Sequence, residues 1–548
     1  MELVLIGPPG SGKSAVGRRV ARAQGAAFVD LDTAIEAAAA MRVERIFEVE
    51  GEAGFRAREA AAIAALGPAD TGSRLTRVVA AGGGAILDPR NRWRLFHDRR
   101  AVALMAPAEA LAERLARSPV VRPLVAGRDP VVAVRELLAA RARFYAAAEA
   151  VDATGRVEDV AGRVASLLER PAPAGTRLLS AETPIGTLDL GHGHAARALA
   201  DALRSMGSRR ATLASEPEAW RRHGERLARS LADAGVVEPL PLLLPRGERA
   251  KTVRAWEAAL RQLAARHMER GEPIVAIGGG ALGDAAGFLA ATWLRGVPLV
   301  QVPTTLLAQI DSAIGGKAAL DLPEGKNLVG AFHQPVAIVV DTDLLATLPV
   351  RQRRAALGEA VKYAALGDER LFALLEADGP AIASGARGAV ESGALAELVE
   401  RCAWAKVEVV AADEREAAGR IRLNLGHSIG HAIEAAAGYR GILHGEAVAH
   451  GLRGAVAVGR RLGVTPDERA ARITGLLYRL GLATSAPGVA AAAVAARLAG
   501  DKKVAGGRLH WVLPTVDGVV VRDDVPAEAV EAGIAAALAG GPSQRAAA

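Results

Sequence analysis

The run Gly7-Pro8-Pro9-Gly10-Ser11-Gly12-Lys13-Ser14 restricts the fold more than any other stretch of the chain. Its glycines let backbone N–H groups close around phosphate oxygens, its lysine reaches the β/γ-phosphates and its final hydroxyl can hold Mg²⁺. Such a loop works only between a buried strand and a helix. Leu3-Val4-Leu5-Ile6 reads as the strand and Ala15 to Ala23 as the helix. An α/β domain with a parallel sheet is therefore expected, with a nucleotide at Gly10, Ser11, Gly12, Lys13, Ser14 and Ala15. Phe28-Val29-Asp30-Leu31-Asp32 adds two carboxylates on alternate positions. Asp30 can join Ser14 in holding Mg²⁺, and Asp32 can orient and deprotonate an acceptor hydroxyl.

A chain of 548 residues is too long for one core, so two to four domains are expected. With 51% hydrophobic and 24% charged residues it has the make-up of a soluble globular protein. The single cysteine, Cys402, excludes an internal disulfide framework and fits a reducing cytoplasm. The chain begins directly with a strand pattern, so no signal peptide is expected. No apolar run reaches about 18 residues without a charge, so no membrane span is expected either. The net charge of +7 is not clustered with aromatic residues. That favours small anionic substrates over nucleic acid.

Phe55-Arg56, Gly82-Gly83-Gly84, Val121-Arg122-Pro123-Leu124 and Arg141 complete the pattern begun by the loop and Asp32. As a set in this order, over about residues 1–168, they resemble shikimate kinase. The resemblance implies that Asp32, Arg56, Gly82, Gly83, Gly84 and Arg141 contact shikimate, the two arginines gripping its carboxylate. It makes Asp32, Lys13 and Arg122 catalytic. Arg122 would sit on a lid over ATP and offset charge on the transferring phosphoryl group. Arg170-Pro171-Ala172-Pro173-Ala174-Gly175 then reads as a joint. The expected domains are 1–170, a linker at 171–176, and 177–548.

Beyond the joint, Ile274-Val275-Ala276-Ile277, Leu299-Val300-Gln301-Val302 and Ala337-Ile338-Val339-Val340 read as strands of a second parallel sheet. From about residue 350 the pattern is helical, with one late extended stretch near Leu509 to Leu513. The large domain thus divides into an α/β part, 177–345, and a mostly helical metal-binding part, 346–548. Gly278-Gly279-Gly280-Ala281-Leu282-Gly283-Asp284 matches G-x-G-x-x-G, but an ordinary dinucleotide fold wants an acid about 20 positions later. Val300-Gln301-Val302-Pro303 stands there instead, so a variant fold is expected. Of the eleven histidines, four (His427, His431, His444 and His450) crowd one stretch. His427 and His431, four residues apart, share a helix face and suit a metal, with Glu359 as a further candidate ligand.

Together with Pro303-Thr304-Thr305, Asp311, Gly315-Gly316-Lys317, Gly325-Lys326-Asn327 and Asn424 to His431, the glycine run resembles 3-dehydroquinate synthase over roughly 178–545. The resemblance implies Glu359, His427 and His444 as ligands of Zn²⁺ or Co²⁺, and moves His431 from ligand to phosphate or proton-relay partner. It implies NAD contacts at Glu248, Lys251, Gly280, Ala281, Leu282, Gly283, Asp284, Thr304, Thr305, Lys317, Lys326 and Thr347. The sugar phosphate would meet Arg295, Asp311, Lys317, Lys326, Asn327, Lys362, Lys406, Arg420, Asn424, His431 and Lys502. Lys317, Lys362, Arg420 and His431 would be catalytic. The stretch Ala214-Ser215-Glu216-Pro217 departs from the family's Asp-x-Asn element on the adenosine side.

A bifunctional enzyme of aromatic biosynthesis is therefore expected, using ATP with Mg²⁺ in one half and NAD with Zn²⁺ or Co²⁺ in the other. It would be a cytoplasmic homodimer through the large domain, with no nucleic acid or membrane partner. The weighed alternatives are a metal-dependent polyol dehydrogenase in the large domain and a nucleotide-sensing module in the small one.

Overall fold

The computed structural model describes residues 1–117, 129–416, 419–484, 488–499, 504–505 and 508–540. They form two compact units, Met1–Glu182 with Thr187–Asp201, and Thr183–Gly186 with Ala202–Ala548. In the first, β1 (Glu2–Ile6), β2 (Ala27–Asp30), β3 (Arg77–Ala80), β4 (Arg100–Met105) and β5 (Glu149–Asp152) make a parallel sheet in the order β2-β3-β1-β4-β5. β1 is central because it is apolar on both faces. Its Leu3, Val4 and Leu5 are wholly buried, and burial of side chains this size is worth about 1.5–3 kcal/mol each. Leu5 and Asp30 both pair with Ala80, and Ile6 pairs with Ala103. The loops after β1, β2 and β3 therefore emerge together at the carboxyl edge of the sheet, where open α/β folds bind ligands.

β6 (Thr176–Thr183) and β7 (Gly186–His192) are neighbouring strands that fall largely within the first unit.

In the second unit come β8 (Arg210–Ser215), β9 (Glu238–Leu243), β10 (Ile274–Gly278), β11 (Leu299–Pro303), β12 (Lys317–Leu322), β13 (Gly325–Phe332) and β14 (Ala337–Asp341). Five of them run parallel in the order β14-β11-β10-β8-β9, and β12 with β13 forms an antiparallel hairpin. The three strands expected here are β10, β11 and β14. Helices follow at Val350–Ala365, Ala394–Ala412, His427–Ala436 and His444–Arg461, and the late extended stretch is Trp511–Pro514 paired with Val519–Arg522. Every residue of the first of these helices from Ala355 to Ala365 is buried. A helix apolar nearly all round sinks into the core. It carries Glu359 and Lys362 with it, and charges in such a place persist only when paired. No helix among the described residues is long and apolar enough to cross a membrane.

Candidate functional site

At the carboxyl edge of the first sheet the chain turns through Gly10 (φ 82°) and Gly12 (φ 87°) into the helix Lys13–Gln24. Only glycine takes those angles without strain. Lys13 Nζ donates to the carbonyls of Gly7 (2.9 Å) and Pro8 (3.1 Å) of its own loop. A cavity of about 310 Å³ is lined there by Gly10, Gly12, Lys13, Ser14, Ala15, Asp30 and Asp32, whereas Ser11 is buried. Asp30 also caps the next helix, its Oδ1 accepting from the N–H groups of Asp32 (3.1 Å) and Thr33 (3.3 Å). A second cavity, of about 470 Å³, gathers Asp32, Arg56, Gly82, Gly83, Gly84 and Arg141. Arg141 is buried and donates to the Gly83 carbonyl at 2.6 Å. Arg122 and its neighbours Val121, Pro123 and Leu124 lie outside the described residues.

The second unit has a cleft of about 700 Å³. Glu248, Lys251, Gly280, Ala281, Asp284, Asp311, Lys317, Lys326, Asn327 and His431 line it, so residues expected to meet NAD and residues expected to meet sugar phosphate share one wall. They are tied together already: Lys251 to Asp284 (2.8 Å) and Asn327, Lys326 to Glu248 (2.7 Å), and Lys317 to Glu416. Asn424 donates to Glu416 at 3.1 Å. Several expected contacts stand elsewhere. Leu282 fills the hydrophobic core and Gly283 backs onto Gln301. Thr304 is buried, Thr305 packs under Gly279, and the Thr347 hydroxyl bonds His223 Nε2 at 3.0 Å. Lys362, Lys406 and Arg420 are buried behind the wall. Arg420 donates to the carbonyls of Glu414 (2.6 Å) and Gly315 (3.3 Å). Arg295 is exposed on the turn after the helix Gly280–Thr292 and is not among the residues lining the cleft. Lys502 lies outside the described residues.

At one end of the cleft, Glu359 Oε1 lies 3.2 Å from His427 Nε2 and 3.2 Å from His444 Nε2. Glu359 is wholly buried; its Oε2 is ion-paired with Lys362, and its Oε1 faces the two rings. A buried carboxylate oxygen facing two imidazole nitrogens is a donor set for a borderline divalent ion such as Zn²⁺ or Co²⁺. Both rings are turned for that purpose. His427 Nδ1 faces the Leu425 carbonyl (3.1 Å) and His444 Nδ1 faces Glu434 (3.0 Å), leaving each Nε2 toward Glu359. His431 belongs to the same cluster, the ligand atoms of the three histidines lying within 4.8 Å of one another. Glu359 lies beside both other rings, and His431, which also lines the cleft, stands within reach of the same point.

The charges follow. Burial pushes the Glu359 carboxyl up, but Lys362 (2.5 Å) and His427 outweigh it and hold it well below the usual range. Burial lowers His427. Burial also lowers His444, but its two carboxylate partners overcome that and raise it to about 10. Close backbone contact brings the three donors together. A methyl group at Gly445 would strike the Ala355 carbonyl, and one at Gly451 the Gly426 carbonyl.

Two family profiles for 3-dehydroquinate synthase match the large part of the chain, the N-terminal one at 241–355 and the C-terminal one at 356–504. The 3-dehydroquinate synthase of Nostoc punctiforme is 44% identical over 320 residues, which cover 58% of this chain and 87% of that protein. The chain belongs to the 3-dehydroquinate synthase family. The enzyme of that name from a Synechococcus strain is 42% identical over 325 residues, covering 58% of this chain and 86% of that one. Ahead of the synthase, residues 9–169 match the shikimate kinase family. Among solved structures, 2-epi-5-epi-valiolone synthase from Streptomyces hygroscopicus, with NAD⁺ and Zn²⁺ bound, is similar at a TM-score of 0.58 and 29% identity, over 64% of this chain and 96% of that one.

Four residues of this synthase and its kinase domain escaped the sequence reading. Glu59 pairs with Arg56 at 2.8 Å, and burial pushes its carboxyl up against that pull. Arg114 donates to the carbonyls of Gly10 (3.4 Å) and Ala153 (2.8 Å) beside the phosphate loop. Glu434 lines the synthase cleft beside His444, and Tyr363 is buried next to it. Spacing offered a signal for three of them: Glu59 follows Arg56 by three, Glu434 follows His427 by seven and Tyr363 follows Glu359 by four, each on a shared helix face. Arg114 carried none.

Proposed function

We infer that the chain performs two reactions. In its first part it phosphorylates shikimate with ATP. In its second it converts 3-deoxy-D-arabino-heptulosonate 7-phosphate to 3-dehydroquinate with release of phosphate. The observation that carries the second is the convergence of Glu359, His427 and His444 on one point beside a cation-rich cleft. We place the boundary between the two functions at 171–176, just after the shikimate kinase match ends.

In the kinase, Asp32 takes the proton of the acceptor hydroxyl while Arg56 and Arg141 hold the shikimate carboxylate. Lys13 and the N–H groups at the start of its helix carry the phosphate charge, with Arg122 closing over it, and Ser14 and Asp30 are the residues for Mg²⁺. In the synthase, Glu359, His427 and His444 would hold Zn²⁺ or Co²⁺, and Glu248, Lys251, Gly280, Ala281 and Asp284 would hold NAD. Bound there, the metal polarises a substrate hydroxyl and NAD supplies reversible oxidation of its carbon. The chain's own residues do the rest. Lys317, Lys326 and Asn327 receive the phosphate, Asn424 holds a sugar hydroxyl, and Lys406 and Arg420 supply positive charge for the carboxylate. His431 carries a proton to or from the departing phosphate.

Glu216 closes the gap left by the missing downstream acid. It directly follows β8, whose Ser215 pairs with Ile277 of β10, so it stands beside the glycine turn. A carboxylate at that point suits the adenosine ribose of NAD. It belongs to the stretch that departs from the family's Asp-x-Asn element, on the strand that precedes β10 in the chain. A homodimer through the synthase part belongs to the same proposal. A neutral polyol substrate would have no use for these cations.

The test is an assay of the full chain that follows ATP consumption with shikimate and phosphate release from the heptulosonate phosphate separately. Prolonged chelation is expected to abolish the second and spare the first. Normal phosphate release from metal-free protein would overturn the metal assignment.

A further inference from the structure

Tyr439 occupies a backbone position that a residue of its size seldom adopts. It follows the helix His427–Ala436, and its φ of 58° lies in the left-handed region, directly after Gly438 at 62°. Its N–H donates to the Glu434 carbonyl at 2.8 Å, closing the end of the helix and fixing where the side chain starts. The ring remains 42% exposed, so burial does little to offset the strain. Strain of this kind concentrates where a site needs it. The far end of the loop is held as well. Arg351 donates to the Gly441 carbonyl at 2.7 Å and grips Glu446 through two contacts of 2.8 Å, and Glu446 accepts from the Leu443 N–H at 2.9 Å. The loop between the helices that carry His427 and His444 is thus pinned at both ends.

The ring meets Lys326. Its centroid lies 5.0 Å from Lys326 Nζ, within the range of a cation–π contact. Lys326 stands at the start of β13, and both residues line the synthase cleft, so the contact joins its helical wall to its α/β wall. The same ammonium is paired with Glu248 at 2.7 Å. A carboxylate partner cancels the charge of an ammonium. An aromatic face attracts it through the ring quadrupole and leaves its net charge intact. A lysine is a compact point charge on a flexible stem. To serve a phosphate, Lys326 has to leave Glu248 and yet stay in place, and the pinned ring gives it a partner that does not compete with the incoming anion.

We propose that Tyr439 is a positioning residue for the synthase reaction: its ring holds the Lys326 ammonium at the cleft, so that it can pass from Glu248 to the substrate phosphate. The proposal rests on the synthase reading of this cleft, in which Lys326 receives that phosphate. It concerns binding of the anionic substrate, not the metal.

The experiment compares Tyr439→Leu and Tyr439→Phe in the full chain, with saturating NAD and zinc. Leucine keeps apolar bulk and removes the aromatic face, whereas phenylalanine keeps the face and removes only the hydroxyl. KM for the heptulosonate phosphate is expected to rise about threefold in Tyr439→Leu, with kcat and zinc content held, and to stay at the unsubstituted value in Tyr439→Phe. On a Lys326→Met background the effect of Tyr439→Leu is expected to vanish, because no ammonium is left to hold. An unchanged KM in Tyr439→Leu overturns the proposal. So does an equal rise in Tyr439→Phe, a rise that persists in full on top of Lys326→Met, or a loss of zinc in Tyr439→Leu, which is what a merely structural loop residue would give. Absence of phosphate release in the unsubstituted chain would instead sink the synthase reading itself.

Discussion

Glu434 does for His444 what the Leu425 carbonyl does for His427: it occupies Nδ1 and leaves Nε2 for the ion. A carboxylate in this role fixes the ring and raises its basicity, and losing it typically costs about 10–100-fold in metal affinity. Glu434→Ala is therefore expected to weaken zinc binding in a chelator competition by about that factor while shikimate phosphorylation is unchanged. Asp311 gives a second test at this scale. Burial alone would push its carboxyl up from 3.8, but Lys406 and Lys362 outweigh burial and bring it to about 2. A depressed folded value means stability present above pH 3.8 and lost as pH falls toward 2. The gap in melting temperature between the protein and Asp311→Asn should be widest near neutrality and narrow over that acid window. The residues that carry these effects were legible unevenly. Glu359, His427 and His444 could be named from the chain because each sits in a short motif of its own. That Lys362 and Lys406 pair with Asp311 while Arg420 turns to the Glu414 and Gly315 carbonyls could not, because it depends on which of several pairings the buried charges choose.

Helices bring the metal donors together by touching backbone to backbone. The helix Val350–Ala365 meets Gly445, at the start of His444–Arg461, with no side chain between them. Gly451 lets the latter helix approach Gly426, just ahead of His427–Ala436, in the same way. Gly445→Ala would drive a methyl group into the Ala355 carbonyl, so the helix must move away by a fraction of its own contact distance. Overpacking of this kind costs about 1–3 kcal/mol. It would also pull His444 off Glu359. The expected result is a synthase with much reduced zinc content, beside a kinase of normal activity. At this scale the sequence told a good deal: the strands at 274–277, 299–302 and 337–340 and the phosphate loop are where hydrophobic runs and glycine turns put them. It did not tell which helices would cross, since a glycine in a helix reads as a weakness until its partner backbone is seen. Nor did it show that the strand beside β10 comes earlier in the chain, so the stretch holding Glu216 read only as a departure on the adenosine side.

Across the whole molecule, the residues of the phosphate loop and acceptor cavity all precede residue 142, and those of the metal cleft all follow residue 247. Each catalytic apparatus is built from its own unit. Asp32→Asn is expected to abolish shikimate phosphorylation without loss of ATP binding or of phosphate release by the synthase. Glu359→Gln should do the reverse, and loss of both activities in either variant would contradict this separation. The Pro/Ala joint marks where composition changes, but composition alone does not say to which unit the strands that follow it, β6 and β7, belong. One peptide chain, two workshops: every copy that a ribosome completes adds a single kinase and a single synthase to the pool. Their numbers can never drift apart, so any imbalance between the steps has to be corrected by how fast each one turns over.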